Sequence, residues 1–582
     1  MRKSIFIRQY YPSLLFGSLV FCCLLLGLLP SLQIIIERNL IDSAIAEVAA
    51  SSSRMFVTYL IQFIVLILSS SLLTNLLKYG TDSINRIVGK KLDIKRVEKC
   101  NKVSFAITES QFFHDLCEKA IKAPEHNQAF LASLQTVTRS MVQIIASFVV
   151  LYSIDTRTAV IIYILLLLGI WINKKAANDS GDFWGEYIKN MRRANYYSSL
   201  LLNREYAMER KTFNYNPEIE SRYHDSSDVA IKKNSKLGRK RFVSESITTL
   251  FAAIYSMVAI LLLIPPIVSN KITIGAFIAA FTAISSLRNV ASKLYEGIYD
   301  GVKNYSLLSG FFSLLNLEEE RSSGSSEKID LSKGIEFQNV SFTYPGSSDA
   351  VLDDVSFTLD AGMHYALVGE NGCGKTTLVK LLLGLYKPSS GRILVGGKEA
   401  SEMDNNEKRH VFSAIFQDFY RYPLSIRENV SLSSEKNLDS HTINDVLDKV
   451  HFDAPIRLKE NGLDISLGIL KQESADLSGG EWQKLAIARS MLSEAQIIVL
   501  DEPNAALDPI SEMEFYRVYE EIFISRTTLF ISHRLGAVKS ADKILVLHNN
   551  RLIAKGSHDA LMKRCEYYRE LFETQRGLYY EN

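Results

Sequence analysis

The stretch YALVGENGCGKTTLVKLLLGL, Tyr365–Leu385, decides the fold of the second half of the chain. It begins as a short apolar run, turns through Gly369, Gly372 and Gly374, and continues with the apolar spacing of a helix. A strand, a glycine-rich turn and a helix in this order are the context of a phosphate-binding loop. The glycines let backbone N–H groups approach phosphate oxygens, and the helix N-terminus adds its positive dipole. The sequence therefore predicts an α/β P-loop domain around this stretch.

Polar side chains of the same loop indicate a nucleoside triphosphate as the ligand. Lys375 is predicted to reach the β- and γ-phosphates, and the Thr376 hydroxyl is predicted to ligate Mg²⁺. The other residues of the predicted nucleotide-binding loop are Gly369, Glu370, Asn371, Gly372, Cys373, Gly374 and Thr377.

Two later strand ends supply the remaining chemistry of a triphosphatase, which needs a carboxylate for its metal and a group that activates water. The apolar run Ile497–Leu500 ends in Asp501, predicted to hold Mg²⁺, and Glu502, predicted to be the general base. A second apolar run, TTLFISHRL, reaches His533, which is predicted to contact the γ-phosphate. A lone histidine is more often structural, so His533 gains weight only from its place after the acid pair. Lys375, Glu502 and His533 are the predicted catalytic residues.

In this order the motifs resemble the nucleotide-binding domain of ATP-binding-cassette (ABC) proteins, over about residues 333–577. The resemblance implies that Tyr344 stacks on adenine and that Gln417 senses Mg²⁺ and the membrane domain. It also implies a D-loop at Asp508 and a switch histidine at His533. The segment LSGGE matches the family signature and adds Ser478, Gly479, Gly480 and Glu481 to the predicted nucleotide contacts. ATP and Mg²⁺ are the implied cofactors, with Thr376, Gln417 and Asp501 around the metal.

The signature also implies a partner, because the family's ATP lies between the P-loop of one cassette and the signature of another. Each chain has one of each motif, so a homodimer is the simplest prediction, and a heterodimer with a related half stays open. Two local departures from the family pattern stand out. The segment before the signature reads LKQESAD, where a Gly-Glu-Arg-Gly run is frequent, and leaves Glu473 as a counterpart. The signature ends in Glu481, where glutamine is common.

The first half of the chain is rich in uncharged apolar runs. Met55–Leu77 carries no charge and as a helix is roughly 35 Å long, enough to cross a bilayer. Similar runs follow Gln9 and fill Ser246–Asn270. Weaker candidates are Ser140–Ile154, Thr158–Asn173 and Ile272–Leu287, with a tight outer turn at Asp155–Arg157 and another at Pro265–Lys271. We therefore predict an α-helical six-span transmembrane domain in front of the P-loop ATPase domain.

Basic residues orient these spans. Arg2, Lys3 and Arg8 precede the first span, GKKLDIKRVEKCNK follows the second, and LGRKRF precedes the fifth. Cytoplasmic loops carry an excess of lysine and arginine, so both termini are predicted to be cytoplasmic. Long inner segments, 78–136 and 174–245, indicate helices that continue into the cytoplasm. By resemblance to exporter-type members, coupling helices that dock on a cassette map near Phe112–Ala123 and Glu205–Tyr215.

The predicted domains are a membrane domain at 1–317, a Ser/Gly-rich polar linker at 318–332, a nucleotide-binding domain at 333–577 and a tail at 578–582. At 582 residues, the chain is too long for one ordinary core. Its formal charge of +2 gives no support to nucleic-acid binding. The six cysteines have no metal-ligand spacing and are read as reduced, inert thiols.

The function predicted from these features is ATP-driven export of an amphipathic substrate across the cell membrane, by a multi-pass protein of bacterial origin. No strong charge site lies within the predicted spans, which favours amphipathic cargo over a small ion. A peptide is favoured slightly over the alternative, a drug-like molecule or lipid. A non-pumping ATP-gated channel or regulatory subunit is the rival from another class; it would be favoured by a degenerate catalytic site, which the sequence does not have.

Overall fold

The structure, a computed structural model, describes residues 11–50, 54–165, 191–269, 271–320, 329–434, 438–454, 462–468, 475–502, 526–532 and 535–580. The chain divides into two units. The first comprises Met1–Val103 and Ser110–Glu318, and the second comprises Ser104–Glu109 and Glu319–Asn582. A short segment of the N-terminal half, Ser104–Glu109, therefore belongs to the C-terminal unit.

Long helices make up the described part of the first unit, which we call the membrane unit. In chain order, with α3 reserved for a helix of the second unit, they are α1 Ser13–Ala50, α2 Arg54–Lys102, α4 Gln111–Ile121, α5 Ala123–Ile154, α6 Thr156–Leu165, α7 at 191–202, α8 Ala207–Thr212, α9 Asn216–Val268 and α10 Ile274–Leu315.

Among the described residues, four helices, α1, α2, α5 and α10, are long and apolar enough to cross a membrane. Two shorter apolar helical stretches, Thr156–Leu165 and Ser256–Val268, fall in the predicted fourth and fifth spans. The six-span count stays a prediction, because the fourth span runs into residues 166–190, outside the described residues. The 49 residues of α2 form one helix from Arg54 to Lys102, so it continues well beyond its apolar part.

The turn predicted at Pro265–Lys271 is partly wrong. Pro265 and Pro266 lie inside α9, which ends at Val268. A proline inside a helix removes a backbone donor but leaves its carbonyl free to accept. Here Ser269 N donates to the Pro265 carbonyl at 3.0 Å, and Lys271 N donates to the Pro266 carbonyl at 2.9 Å. The chain therefore reverses after the proline pair rather than at it.

Small residues and one carboxylate hold α10 against its neighbours in the membrane unit. Ala279, Ala280 and Ala283 are buried in a cluster with residues of α1, α5, α6 and α9, where small side chains allow close helix packing. At its N-terminus, Asp42 of α1 accepts hydrogen bonds from Thr273 Oγ1 at 2.7 Å and from Gly275 N at 2.9 Å. The start of α10 is thus fixed to α1 through the Thr273 hydroxyl and through one backbone donor, Gly275 N, that has no acceptor within its own helix.

The second unit, which we call the cassette, contains the short helix α3, Phe105–Thr108, and two β-sheets. Its strands are β1 Ile335–Thr343, β2 Ala350–Leu359, β3 His364–Val368, β4 Ser390–Val395, β5 Lys398–Glu399, β6 Phe412–Ile415, β7 Ile497–Asp501, β8 Thr527–Ile531, β9 Lys543–His548 and β10 Arg551–Gly556. Its other helices are α11 Lys375–Leu382, α12 Asn405–Val411, α13 Ile426–Ser431, α14 Ser440–Lys449, α15 Gly479–Met491, α16 Leu535–Ser540, α17 His558–Arg564 and α18 Glu566–Tyr580. The last helix extends into the predicted tail at 578–582.

The larger sheet has the strand order β10-β9-β3-β8-β7-β6, with β10 antiparallel and the described pairs among the others parallel. The smaller sheet, β2-β1-β4-β5, is antiparallel. Alternate residues of β3 enter two different cores, Tyr365 and Leu367 on one face and Ala366 and Val368 on the other. Both faces of the parallel sheet are therefore covered, and ligands of such sheets bind at the carboxyl ends of the strands.

Candidate active site

The predicted phosphate loop lies at the carboxyl end of β3, as the sequence predicts, and two of its glycines, Gly369 and Gly374, are sterically required. Gly374 has φ of +100° and directly precedes α11. A Cβ there would lie 2.7 Å from Leu352 Cδ2 and 2.8 Å from the Val351 carbonyl oxygen. A Cβ at Gly369 would lie 2.3 Å from the Leu547 carbonyl oxygen of β9. At Gly372 it would meet nothing within 4 Å, so the loop is packed on one side and open on the other.

Lys375 closes the loop from inside. Its ammonium donates to the carbonyls of Gly369 and Glu370, each at 2.9 Å, and the residue is buried. Burial lowers the Lys375 pKa, and the nearby groups Cys373, Glu502 and Asp501 partly oppose that shift. The cation is thus held among the loop carbonyls, at the N-terminus of α11.

The acid pair lies at the end of β7. Asp501 is 2% exposed, and burial raises its pKa, which the hydrogen bond from Thr376 and the charge of Lys375 partly oppose. Glu502 has φ of +49°, and its backbone N–H donates to the Ile531 carbonyl of β8 at 3.1 Å. The left-handed backbone at Glu502 turns the chain directly after Asp501, where β7 ends.

Gln417 follows β6, the strand beside β7, and its side chain is exposed. The charge of its neighbour Asp418 contributes to the raised pKa of Asp501, so this turn lies close to the acid pair. Sequence reasoning did not single out Asp418, although its position directly after Gln417 was a usable signal.

Tyr344, the predicted adenine contact, is half-buried and connected to the phosphate loop. Its hydroxyl lies 3.0 Å from Thr377 Oγ1, two residues after Lys375. The rings of Phe342 and Tyr386 contact Tyr344 edge-on, with centroids 5.0 and 5.3 Å away. One ring is therefore fixed at its hydroxyl and by its neighbours, as an adenine platform requires.

The signature residues begin α15. Ser478 is its N-cap: Ser478 Oγ accepts from Glu481 N at 3.3 Å, and Glu481 Oε2 accepts from Ser478 N at 2.7 Å. Glutamine could make the same reciprocal capping bond, which accounts for the tolerance of glutamate at this position. Gly479 and Gly480 follow in the first turn, and a Cβ at Gly479 would meet nothing within 4 Å.

Three predicted residues lie outside the described residues: His533, Asp508 and the counterpart Glu473. The structure therefore brings together the phosphate loop, Tyr344 and the acid pair, with the Gln417 turn beside them, and presents the signature at a separate helix N-terminus.

Two contacts of this site have no counterpart in the sequence predictions. Glu370 Oε1 lies 3.9 Å from Nδ1 of His548, whose ring contacts that of Tyr567 of α18 in a tilted arrangement, with centroids 4.0 Å apart. Burial and the nearby Glu370 carboxylate raise the pKa of Tyr567 to about 12. In the second contact, Lys380 of α11 pairs with Glu109, from the short segment of the N-terminal half. No local spacing connects such distant residues.

The donor set fits a magnesium–nucleotide ligand. The exposed Thr376 hydroxyl and the Asp501 carboxylate are adjacent oxygen donors, the type of ligand that Mg²⁺ prefers. A buried carboxylate with a raised pKa is also stabilised by a neighbouring cation. When bound, the metal would neutralise charge on the phosphates.

Comparison with known proteins gives the class of the cassette. Residues 352–505 match a family model described as ABC transporter. The whole chain is similar in structure to a bacterial Atm1-family ABC exporter with ATP bound, with a TM-score of 0.83, 20% identity, and coverage of 97% of this chain and 99% of that one. At this identity the likeness shows the fold.

Curated relatives extend the similarity to the membrane unit. A subtilin transport ATP-binding protein of Bacillus subtilis is 28% identical over 96% of this chain and 92% of its own length. A nisin transport ATP-binding protein of Lactococcus lactis is 26% identical, covering 94% and 91%. An ATP-dependent lipid A-core flippase of Alcanivorax borkumensis is 31% identical over 62% of each chain.

These findings define an ATP-binding-cassette protein. More particularly, the chain is a half-transporter of the exporter type, a multi-pass membrane protein in which a helical membrane unit and an ATP-binding, ATP-hydrolysing cassette are fused.

Proposed function

We propose that this half-transporter uses ATP to export an amphipathic molecule, with a peptide as the favoured cargo. One observation carries the proposal: among the described residues, the phosphate-binding Lys375 and the acid pair Asp501–Glu502 lie near one another at the carboxyl ends of strands of one sheet, in a chain that also carries membrane-length helices. The intact site argues against a non-pumping channel or regulatory subunit.

Each residue of the site has a role that follows from its position. Lys375 supplies a cation at the helix N-terminus where the β- and γ-phosphates would lie. Asp501 and Thr376 would hold Mg²⁺, with the exposed Gln417 beside them. Glu502, one residue after the strand end, is placed to take a proton from the attacking water, and His533 would contact the γ-phosphate.

The active species in this proposal is a dimer, with the homodimer as the simplest form. The phosphate loop is open on the side of Gly372, and the signature presents an exposed Ser478 at the N-terminus of α15. A helix N-terminus favours an anion, so the signature of a partner chain would bind the γ-phosphate and contribute Ser478 and Gly480. ATP would hold two cassettes together, and hydrolysis would release them.

Transport would follow by exchange between inward-open and outward-open arrangements of the membrane helices. The γ-phosphate supplies the differential contact, because both cassettes bind it only when they are closed. In the proposed topology six spans cross the cell membrane and both termini are cytoplasmic.

The cargo assignment rests on coverage of the relatives. The relatives named for subtilin and nisin transport match more than nine-tenths of this chain, including the membrane unit. The lipid A-core flippase matches 62% of it, although at slightly higher identity. Since the membrane helices select the cargo, the more extensive match favours an amphipathic peptide, with a lipid as the second candidate.

The test of the mechanism is Glu502→Gln in purified protein reconstituted in lipid. The variant should bind ATP as the wild type does and lose at least about 100-fold in hydrolysis, since general-base catalysis typically contributes 10²–10⁴-fold. Glu570→Gln, on the exposed side of α18, is the matched control. Hydrolysis at the wild-type rate by Glu502→Gln would refute the assignment of the base.

Cargo is tested in proteoliposomes whose cassettes face outward. ATP-dependent accumulation of an amphipathic peptide in the lumen, with none for a fluorescent phospholipid, supports peptide export. The reverse result supports the lipid candidate. ATP hydrolysis with neither movement, under conditions where both are offered, would favour the non-pumping rival.

A further inference from the structure

Lys380 occupies a cage of three aromatic rings and one carboxylate within the cassette. Its ammonium lies 5.7 Å from the ring centroid of Phe105, 5.9 Å from that of Tyr344 and 5.8 Å from that of Tyr386. Glu109 Oε1 accepts a hydrogen bond from the ammonium at 3.1 Å. We call these five residues the lysine cage. A cation over several aromatic faces is attracted by each ring quadrupole, and the carboxylate adds an ion pair.

Glu109 binds a second member of the lysine cage as well. Its other oxygen, Oε2, accepts a hydrogen bond from the hydroxyl of Tyr386. Burial alone would raise the pKa of Glu109, but the hydrogen bonds from Tyr386 and Lys380 hold its pKa below the ordinary value. Burial and Glu109 raise the pKa of Tyr386, so the phenol stays protonated and donates. One ionised carboxylate therefore fixes both a cation and a phenol.

The rings of the lysine cage lead directly to the nucleotide site. Tyr386 is 6% exposed and contacts Tyr344 edge-on, with an interplanar angle of 87°. Phe105 also contacts Tyr386 edge-on, with centroids 5.7 Å apart. Lys380 itself stands on α11, five residues after Lys375. The lysine cage thus joins the predicted adenine platform to the helix of the phosphate loop.

Two of the five members come from the N-terminal half of the chain. Phe105 and Glu109 belong to Ser104–Glu109, the segment grouped with the cassette, while the residues before and after it belong to the membrane unit. Ser104–Glu109 precedes the segment predicted to dock, Phe112–Ala123, most of which forms α4 in the membrane unit. The buried residues Phe113, Leu116 and Ala120 give α4 an apolar face within that unit.

We propose that Glu109 and Lys380 are positioning residues for the adenine side of ATP. Through Tyr386 they fix the plane of Tyr344, so nucleotide affinity depends on a carboxylate from the N-terminal half of the chain. The proposal rests on the proposed function only for the identity of the nucleotide. Neither residue takes part in the hydrolysis step.

The test measures ATP binding and hydrolysis separately in full-length, lipid-reconstituted protein. Glu109→Ala and Lys380→Met should each weaken ATP binding about 5- to 10-fold, measured by displacement of a fluorescent ATP analogue. The turnover number at saturating ATP should stay within about 2-fold. Glu118→Gln, an exposed carboxylate on α4, is the control and should change neither quantity.

A double variant and a conservative variant distinguish positioning from a general loss of structure. Glu109→Ala combined with Lys380→Met should weaken binding by less than the product of the two single effects, since both changes remove the contact between Glu109 and Lys380. Glu109→Gln keeps an acceptor and should lose less affinity than Glu109→Ala; it also decides the question if the alanine variant does not fold. Wild-type ATP affinity in Glu109→Gln, Glu109→Ala and Lys380→Met would overturn the proposal. A wild-type protein that binds ATP without transport would instead contradict the proposed function.

Discussion

The two glycine-rich segments of the cassette, the phosphate loop and the signature, differ in the partners that their polar groups bind. The phosphate loop is held by its own chain: Lys375 binds the Gly369 and Glu370 carbonyls, Thr376 binds Asp501, and Thr377 contacts Tyr344. In the signature, Ser478 and Glu481 form a capping box with each other. A Cβ at Gly374 would collide with β2, whereas a Cβ at Gly479 would meet nothing within 4 Å.

This difference shows that similar residues can serve opposite purposes. A loop packed against its own strands is preorganised and receives a ligand at once. The exposed N-terminus of α15 is preorganised for an anion that is bound to a partner chain. The difference between the two segments therefore supports a nucleotide site made of two halves. Substitutions in one segment at a time test whether the two halves have these separate roles.

The largest expected effect separates binding from hydrolysis. Gly479→Asp should leave ATP affinity of the chain within about 2-fold, because the space around Gly479 is open and the phosphate loop is untouched. It should reduce hydrolysis at least about 100-fold, because a carboxylate would repel the γ-phosphate brought by the partner. Lys375→Ala, in contrast, should lose binding itself by at least about 10-fold. Equal loss of ATP binding in both variants would show that the signature acts within its own chain.

An intermediate effect compares two alanine substitutions by thermal unfolding. Gly374→Ala forces a Cβ into contact with Val351 and Leu352 at a positive φ, and should cost about 2–4 kcal/mol of stability. Gly479→Ala should change stability by less than about 0.5 kcal/mol, because alanine suits a helix and the position is open. Comparable destabilisation by the two would contradict the packing difference.

The smallest expected effect concerns the buried carboxyl group of Asp501, next to the phosphate loop. Burial raises the pKa of Asp501, so ionising it costs the folded protein more than the unfolded chain. That cost is absent below the ordinary carboxyl pKa and fully present above the raised one. Asp501→Asn should therefore raise the unfolding temperature of the nucleotide-free protein near pH 7. The expected rise is about 2–4 °C for each kcal/mol that ionising the buried carboxyl costs the folded protein. The gain should vanish at acidic pH, and a lower unfolding temperature at pH 7 would count against the stored charge.

The sequence located the phosphate loop and the acid pair because their chemistry requires contiguous residues. A loop that surrounds phosphates must be glycine-rich along one stretch, and Asp501 and Glu502 mark the end of an apolar strand. The lysine cage escaped prediction for the opposite reason. Glu109 and Lys380 are 271 residues apart, and neither stands in a pattern that points to the other.

In the membrane unit, composition predicted the apolar part of a helix better than the residue at which the helix ends. Met55–Leu77 marks the lipid-compatible part of α2, but hydropathy carries no signal for where the helix stops, and it continues to Lys102. The sequence predicts a turn that begins at Pro265, whereas the helix continues through Pro265 and Pro266 to Val268, and both proline carbonyls accept hydrogen bonds from the residues that follow.

The place of Ser104–Glu109 has a consequence for biogenesis. The contacts that Glu109 makes with Lys380 and Tyr386 span 271 and 277 residues, so they close among the largest loops in the chain. During synthesis the segment emerges long before any strand of the cassette exists. Phe105 can contact Lys380 and Tyr386 only after those residues have been synthesised. A chain interrupted before Tyr386 would lack the ring that Phe105 contacts in the complete protein, so this part of the apolar side chain would stay exposed.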